Sequence, residues 1–269
     1  MAETAQLVLK HQDGPVLTLT LNRPQALNSF NGGMHDALLA ELKAASGDAS
    51  VRCVVITGAG RGFCAGQDLT DPEIAPNLEP GATQKNIGNL IEARYKPLAM
   101  LLADYPVPVL ASVNGVAAGA GANLALTCDI VIAARSAAFI QAFSKIGLIP
   151  DVGGTWLLPR LVGRAQAMAL ALLGDKLPAE QAERIGLIWR CVDDAALAAE
   201  TLATAQRLAA MPVRALAQTR RAMAKADHMT LSEALSMEAE VQGRMGMSRD
   251  YIEGVTAFFA KRAPRFTDR

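Results

Sequence analysis

The chain offers little to a nucleic acid, a metal ion or an anionic membrane. Aromatic residues make up only 4% of it, too few for base-stacking platforms, and 26 basic side chains face 26 acidic ones, so bulk charge favours neither nucleic acid nor lipid. The histidines at 11, 35 and 228 are far apart and show no ligand spacing, so no metal site is expected. The cysteines at 53, 64, 128 and 191 contain no C-x-x-C pair and read as reduced core or pocket residues. No G-x-x-x-x-G-K-[ST] phosphate loop and no G-x-S-x-G nucleophile elbow occurs. The start, MAETAQLVLK, has an acidic residue where a secretory segment would be basic, and no apolar run follows; the cytoplasm is the expected location.

What is present centres on the uncharged run between Asp104 and Asp129. A bilayer span needs ~20 apolar residues. This run is long enough, but it carries Pro106, Pro108, two asparagines and Gly115, Gly119 and Gly121, and lacks a continuous body of large aliphatic residues. Val107–Val113 reads instead as a buried strand stopped by Asn114–Gly115, and Gly119–Thr127 as a buried helix. A strand, a Gly-rich turn and a helix N-terminus point unpaired backbone N–H groups into one space, a place to hold a negative oxygen. The alternative is that small residues merely let the helix pack closely.

A second Gly-rich segment, GAGRGFCAGQDL (58–69), follows an apolar strand at Val51–Thr57. Its glycines suggest a dinucleotide loop, yet Phe63 holds the last position of G-x-G-x-x-G and breaks that motif. A plain Gly-rich surface loop is the other reading.

Taken in order, Gln6–Lys10 and Val16–Leu21 read as a hairpin turning at Asp13–Gly14, with Leu17, Leu19 and Leu21 on one face and Thr18 and Thr20 on the other. Met34, Leu38 and Leu42 recur every fourth residue and predict a helix ending before Gly47. Residues 71–88, with three prolines and little periodicity, read as a mobile loop, and a helix is expected near 89–103. Strands follow at Asp129–Ala134 and Ala138–Gln141, then an Ile149–Gly154 turn into a helix beginning near Thr155. Strand signals stop after Cys191–Val192; Ala195–Ala210, Val213–Lys225, Leu231–Gly243 and Asp250–Lys261 all read as helices. The expected organisation is an α/β core over residues 1–200 and a helical region over 201–269.

The two Gly-rich segments and a Pro-Asp-x-Gly-Gly turn form a set. NRPQALNSF (22–30), GRGFCAGQDL (60–69), NGVAAGAGANLALTCDIVIAA (114–134), FSKIGLIPDVGGTWLLPRLVG (143–163) and FFAKRAPRF (258–266) together resemble the enoyl-CoA hydratase/isomerase (crotonase) superfamily over nearly the whole chain. The resemblance implies a crotonase-type spiral of ββα units with a C-terminal helical region that builds trimers pairing into hexamers. Ala- and Met-rich faces after residue 200 (Ala215, Met223, Met237, Met245) fit burial in such an oligomer.

Site residues carry over position by position. In relatives, two backbone N–H groups hold the acyl-CoA thioester oxygen; here they correspond to Gln67 and Ala120, the latter to within one residue of Gly119–Gly121. Glycine neighbours suit that task, because an amide can approach a thioester only where side chains are absent. Arg23, Ala26 and Leu27, with Ala65, Asp68 and Leu69, match the positions that bind the CoA nucleotide. Phe258 and Lys261 match C-terminal contacts often supplied by a neighbouring subunit; for Arg23 and Lys261 ordinary solvated charge is the alternative.

A hydratase of this family activates water with two glutamates, and the matching positions hold Asn123 and Phe143, neither a base. The carboxylate that falls in the pocket is Asp151, where similar isomerases carry their acid/base. By itself an Asp before two glycines reads as a turn residue or helix N-cap. Asn123 is expected to contact substrate, to orient Asp151 or simply to pack, and Cys64 to be a packing residue rather than a nucleophile.

The expected activity is therefore isomerisation of an acyl-CoA with an acidic α-proton. A ring-epoxide arylacetyl-CoA rearranging to its oxepin is the first expectation, 3,2-enoyl-CoA isomerisation the second, and RNA binding without catalysis the alternative of another class. No metal or redox cofactor is expected, CoA being part of the substrate.

Overall fold

The computed structural model describes residues 6–269. Strands β1 (Val8–Asp13) and β2 (Val16–Leu21) form the expected antiparallel hairpin, with Leu17, Leu19 and Leu21 buried and the two threonines half-buried. Helix α1 (Gly32–Gly47) buries Met34, Leu38 and Leu42 and is capped by Asn31, whose side chain accepts from the Met34 N–H. The chain then alternates between two sheets. β3 (Cys53–Gly58) is followed by β4 (Gly62–Cys64), β5 (Val109–Val113) by β6 (Val116–Ala118), and β7 (Ile130–Ala134) by β8 (Ala138–Ile140). The first of each pair enters a six-stranded sheet ordered β1-β2-β3-β5-β7-β10, where β10 is Arg190–Val192. The second enters a four-stranded sheet ordered β4-β6-β8-β9, where β9 is Lys176–Pro178. From β2 onward the larger sheet is parallel, and β3 and β5 are buried along nearly their whole length, as strands covered on both faces must be. This is the spiral of ββα units that the motifs imply.

The small strands β4 and β6, read from sequence as turn and loop, carry the Gly-rich segments inward and set them edge to edge in parallel. Between β4 and β5, residues 71–86 are irregular but not loose: the Asp71 carboxylate accepts from the Gly32 N–H at 2.8 Å, and Arg94 clasps Glu73. Helices α2 (Ile87–Leu90) and α3 (Lys96–Ala103) run on through a π-helical turn at Ile91–Tyr95. That wider turn lets Leu90 and Tyr95, five residues apart, face the core together.

Helix α4 (Ala120–Leu126) is buried throughout, and α5 (Gly154–Leu173), kinked at Gly163, starts beside it. Beyond α6 (Ala179–Arg184), helix α7 (Leu197–Ala209) lays Ala205 and Ala209 on Val16, Cys53, Val55 and Leu110 of the larger sheet. The α/β layer therefore extends to Ala209, past the expected boundary at residue 200, because α7 is needed to cover the outer sheet face. Helix α8 (Val213–Ala226) is fastened by Arg220, which pairs with Asp129 and donates to the Tyr105 and Val107 carbonyls. Helices α9 (Leu231–Met245) and α10 (Arg249–Phe259) follow, and the terminal Arg269 folds back to donate to the Ala45, Ser46 and Val51 carbonyls.

Candidate active site

The first Gly-rich loop returns to α1 after β4. Phe30 bridges Gln67 in parallel register: its N–H donates to Gly66 and its carbonyl accepts from Asp68. In such a bridge the middle residue's own N–H points away, so the Gln67 N–H is turned out of the pairing. Ala120 is the first residue of α4 and has no carbonyl a turn earlier to accept its N–H. Gly66, at φ +92°, brings the two together: a Cβ there would lie 2.8 Å from the Ala118 oxygen and 3.4 Å from the Ala120 nitrogen. A Cβ on Gly121 would collide with the Cys64 carbonyl, so close approach of α4 to the loop depends on that glycine too. The paired donors at a helix start suit an oxygen that gains negative charge.

Asp151 lies across from α4 in the turn that starts α5. Its backbone carbonyl accepts from the Gly154 N–H and from Asn123 Nδ2, both at 2.8 Å. Its side chain caps nothing: the N-cap of α5 is Gly153 with no side-chain bond, and Asp151 Oδ1 is buried without a partner. The N-cap reading of Asp151 is thereby corrected. Val152 and Gly153 both take left-handed conformations, at φ +49° and +79°, and a β-branched residue there is strained. With little water and no counter-ion beside it, the carboxyl is pushed up to about 7 by burial. A carboxyl poised near neutrality can both take and return a proton.

Asn123 is fully enclosed, and its amide is occupied at both ends, by the Asp151 carbonyl and by Gln141 Nε2 at 2.8 Å. It supports the Asp151 segment, the orienting role that was one of those expected for it. Phe143 forms an apolar wall against Gly119: a Cβ on that glycine would meet its ring at 3.6 Å. Cys64 is fully buried and its thiol pushed up to about 12, which fits packing and not nucleophilic attack.

The expected nucleotide-binding residues fall into one cluster. Arg23 pairs with Asp68 at 3.0 Å and donates to the Ser29 carbonyl at 2.7 Å, while the Ala65 N–H donates to Leu27. Arg23 is therefore not a freely solvated charge; it clasps 22–30 to the first loop. Ala26 and Ala65 are half-buried and Leu69 is exposed at the loop's edge. Phe258 and Lys261 stand apart: Phe258 is exposed at the end of α10, stacked edge-on with Phe259, and no hydrogen bond or ion pair among the described residues joins Lys261 to that cluster.

Sequence reading missed one polar group beside the site. Gln67 Oε1 accepts from the Tyr95 hydroxyl at 2.7 Å and from His35 Nε2 at 3.3 Å. The three residues are remote in sequence, and the only available signal was that His35 adjoins Met34 on the apolar face of α1. Among the described residues no group of three or more His, Cys, Asp or Glu is placed to hold a metal, and no helix is long and apolar enough to cross a membrane.

Comparison with known proteins agrees with this fold. The family described as Enoyl-CoA hydratase/isomerase matches residues 11–269. The chain is 53% identical to a 1,2-epoxyphenylacetyl-CoA isomerase of Escherichia coli K12 over 98% of its own length and 99% of the relative's. It is 48% identical to a probable enoyl-CoA hydratase of Rhodobacter capsulatus, over 93% of this chain and 94% of that one. Among solved structures, a putative enoyl-CoA hydratase/isomerase from Mycobacterium abscessus superposes with a TM-score of 0.89 at 37% identity, covering 97% of this chain and 100% of the other. With its spiral of two sheets, its paired free N–H groups and its match from residue 11 to the end, the chain belongs to the enoyl-CoA hydratase/isomerase family.

Proposed function

We propose that this chain is an acyl-CoA isomerase that turns 2-(1,2-epoxy-1,2-dihydrophenyl)acetyl-CoA into its oxepin. The observation that carries the reading is the Asp151 carboxyl, left without a partner at Oδ1 and pushed up to about 7, while the hydratase carboxylate positions hold Asn123 and Phe143. The similarity to the Escherichia coli isomerase supports the choice of substrate.

The thioester oxygen sits between the Gln67 and Ala120 N–H groups. Asp151 takes the α-proton, and the released electron pair forms an enolate held by those two donors. As the enolate re-forms the carbonyl, the double bonds shift and the ring carbon–carbon bond under the epoxide opens. Asp151 returns the proton to a ring carbon. Atoms and charge balance with one carboxyl, so the reaction needs no metal or redox cofactor; CoA belongs to the substrate. Arg23, Ala26, Leu27, Ala65, Asp68 and Leu69 form the nucleotide-binding edge. Phe258 and Lys261, remote from it within the chain, serve it from a neighbouring subunit of a homotrimer or homohexamer. We place the enzyme in the cytoplasm.

A second reading, 3,2-enoyl-CoA isomerisation, uses the same residues and is favoured by the apolar wall at Phe143. RNA binding finds no support in a chain of balanced charge. The deciding experiment is turnover of the synthetic ring epoxide beside a 3-enoyl-CoA and crotonyl-CoA, followed by mass spectrometry and ultraviolet absorbance. The reading expects isomerised products from the first two and negligible hydration of the third. Hydration at rates comparable to isomerisation would contradict it.

A further inference from the structure

Gln67 brings more than a backbone N–H to the first Gly-rich loop. Its side-chain nitrogen Nε2 is buried and has no hydrogen-bond partner, while Oε1 is held by Tyr95 and His35. The histidine fixes which way the amide faces. Burial keeps His35 neutral, lowering it to about 4, so its ring carries a single proton. With that proton on Nε2, the unpartnered Nδ1 is an empty lone pair; on Nδ1 it would be an orphaned buried N–H, the costlier defect. His35 therefore donates through Nε2, the Tyr95 hydroxyl donates as well, and Gln67 must meet them with its oxygen.

The arrangement is rigid. Phe30 stacks on His35 at 4.6 Å between ring centroids, and Tyr95 stands edge-on to His35 at 4.4 Å. Both partners of the amide oxygen are thereby held in place by ring packing. Burial, and after it the nearby Asp151 carboxylate, hold the Tyr95 hydroxyl well above its ordinary value, so it stays a donor. Among the described residues, Gln67 Nε2 is the one buried side-chain nitrogen bearing hydrogens that lacks an acceptor. Leaving such a donor dry is costly, because its bonds to water are lost and not replaced. The thioester oxygen does not relieve it, being served by the two backbone groups, and a hydrocarbon acyl chain has no other acceptor.

We propose that Gln67 Nε2 donates a hydrogen bond to an oxygen carried on the substrate's acyl group beyond the thioester, so that the site prefers oxygen-bearing acyl groups to hydrocarbon ones. His35 and Tyr95 are positioning residues that aim this donor. The inference rests on the acyl-CoA isomerase reading and narrows it to a substrate class.

The test compares kcat/KM for the ring-epoxide arylacetyl-CoA and for a 3-enoyl-CoA in wild type, Gln67→Met and Tyr95→Phe. The readout is the ratio of the two values within one preparation, which a reduced folded fraction does not change. The ratio should fall by about tenfold or more in Gln67→Met, in line with sites built to bond a substrate oxygen, and several-fold in Tyr95→Phe. A Gln67→Met ratio within about twofold of wild type would overturn the inference while leaving the isomerase reading intact. So would a wild-type enzyme that isomerises only the 3-enoyl-CoA. A wild type that turns over neither substrate would instead sink the isomerase reading, and the inference with it.

Discussion

The side-chain amide of Asn123 donates to the backbone carbonyl of Asp151 at 2.8 Å, and Gln141 holds the other end of that amide from behind. Together with the Gly154 N–H, this bond ties down the Asp151 backbone without using its carboxyl. The tether joins the helix that begins at a proposed oxyanion donor, Ala120, to the turn that carries the proposed proton carrier. One buried amide thus sets the spacing between the two halves of the chemistry.

Cutting that tether should cost both stability and rate. Asn123→Ala removes one bond from the Asp151 carbonyl and strands Gln141 Nε2, a loss of ~1–3 kcal/mol in unfolding free energy. Turnover should fall while acyl-CoA KM stays nearly constant, since both ends of the Asn123 amide are occupied within the protein. Denaturant titration and steady-state kinetics check both; a variant as active as wild type would show that the Asp151 turn needs no tether.

Gly66→Ala tests the paired donors. At φ +92° and with its Cβ 2.8 Å from the Ala118 oxygen, the new side chain must push the first loop away from β6 and α4. Separating the Gln67 and Ala120 N–H groups should cost about what loss of one oxyanion donor costs, ~10²–10³ in kcat. Circular dichroism establishes the folded fraction, and kcat per folded enzyme is the quantity to compare.

Burial places the Asp151 carboxyl at about 7 in the folded chain, above its ordinary 3.8. The native state therefore holds this proton more tightly than the unfolded state. The associated stability is complete below the unfolded value and is lost as pH rises through the folded one. Asp151→Asn does not titrate, so its melting temperature should exceed that of wild type at pH 8, and the gap should narrow as pH falls and close only near the unfolded value of 3.8. Activity runs the other way: kcat/KM should rise with pH and level off above ~8, because the base is the ionised form. A side chain acting as a cap would give no such crossing.

Much apolar surface lies beside α8: Met100 and Met223 are 62% and 69% exposed, and with Trp156, Leu157 and Leu216 they line one groove. The proposed homo-oligomer with threefold symmetry would bury such surface and bring Phe258 and Lys261 to a neighbour's proposed nucleotide edge. Sedimentation should show trimers or hexamers at micromolar concentration. A stable, fully active monomer would contradict this.

The sequence revealed elements wherever periodicity was strong. The β1–β2 hairpin, α1 and the C-terminal helices lie where Leu17–Leu21, Met34–Leu42 and their counterparts place them. It concealed β4 and β6, which are three residues each and embedded in glycine, so no alternation can register. The boundary near residue 200 misled because α7 resembles the later helices in pattern, although its small alanines pack against the sheet. At the site, Asp151 was visible, but its freedom was not: whether an aspartate before two glycines caps a helix depends on where α5 starts, and that is settled by Val152 and Gly153 in left-handed turns. Gln67 entered the sequence reading for its backbone alone. Its side chain gained a role only when the π-turn swung Tyr95 inward to meet His35.

The central claim is that Asp151 carries the proton, and exchange of the α-proton measures this most directly. Wild type and Asp151→Asn are each incubated with the acyl-CoA in deuterated water, and incorporation is followed by mass spectrometry beside a thermal melt. Asparagine keeps the shape and cannot accept the proton. Exchange and isomerisation should therefore fall together by ~10²–10⁴, with acyl-CoA binding largely kept and the protein folded. A folded Asp151→Asn enzyme that exchanges and isomerises at the wild-type rate would contradict the account.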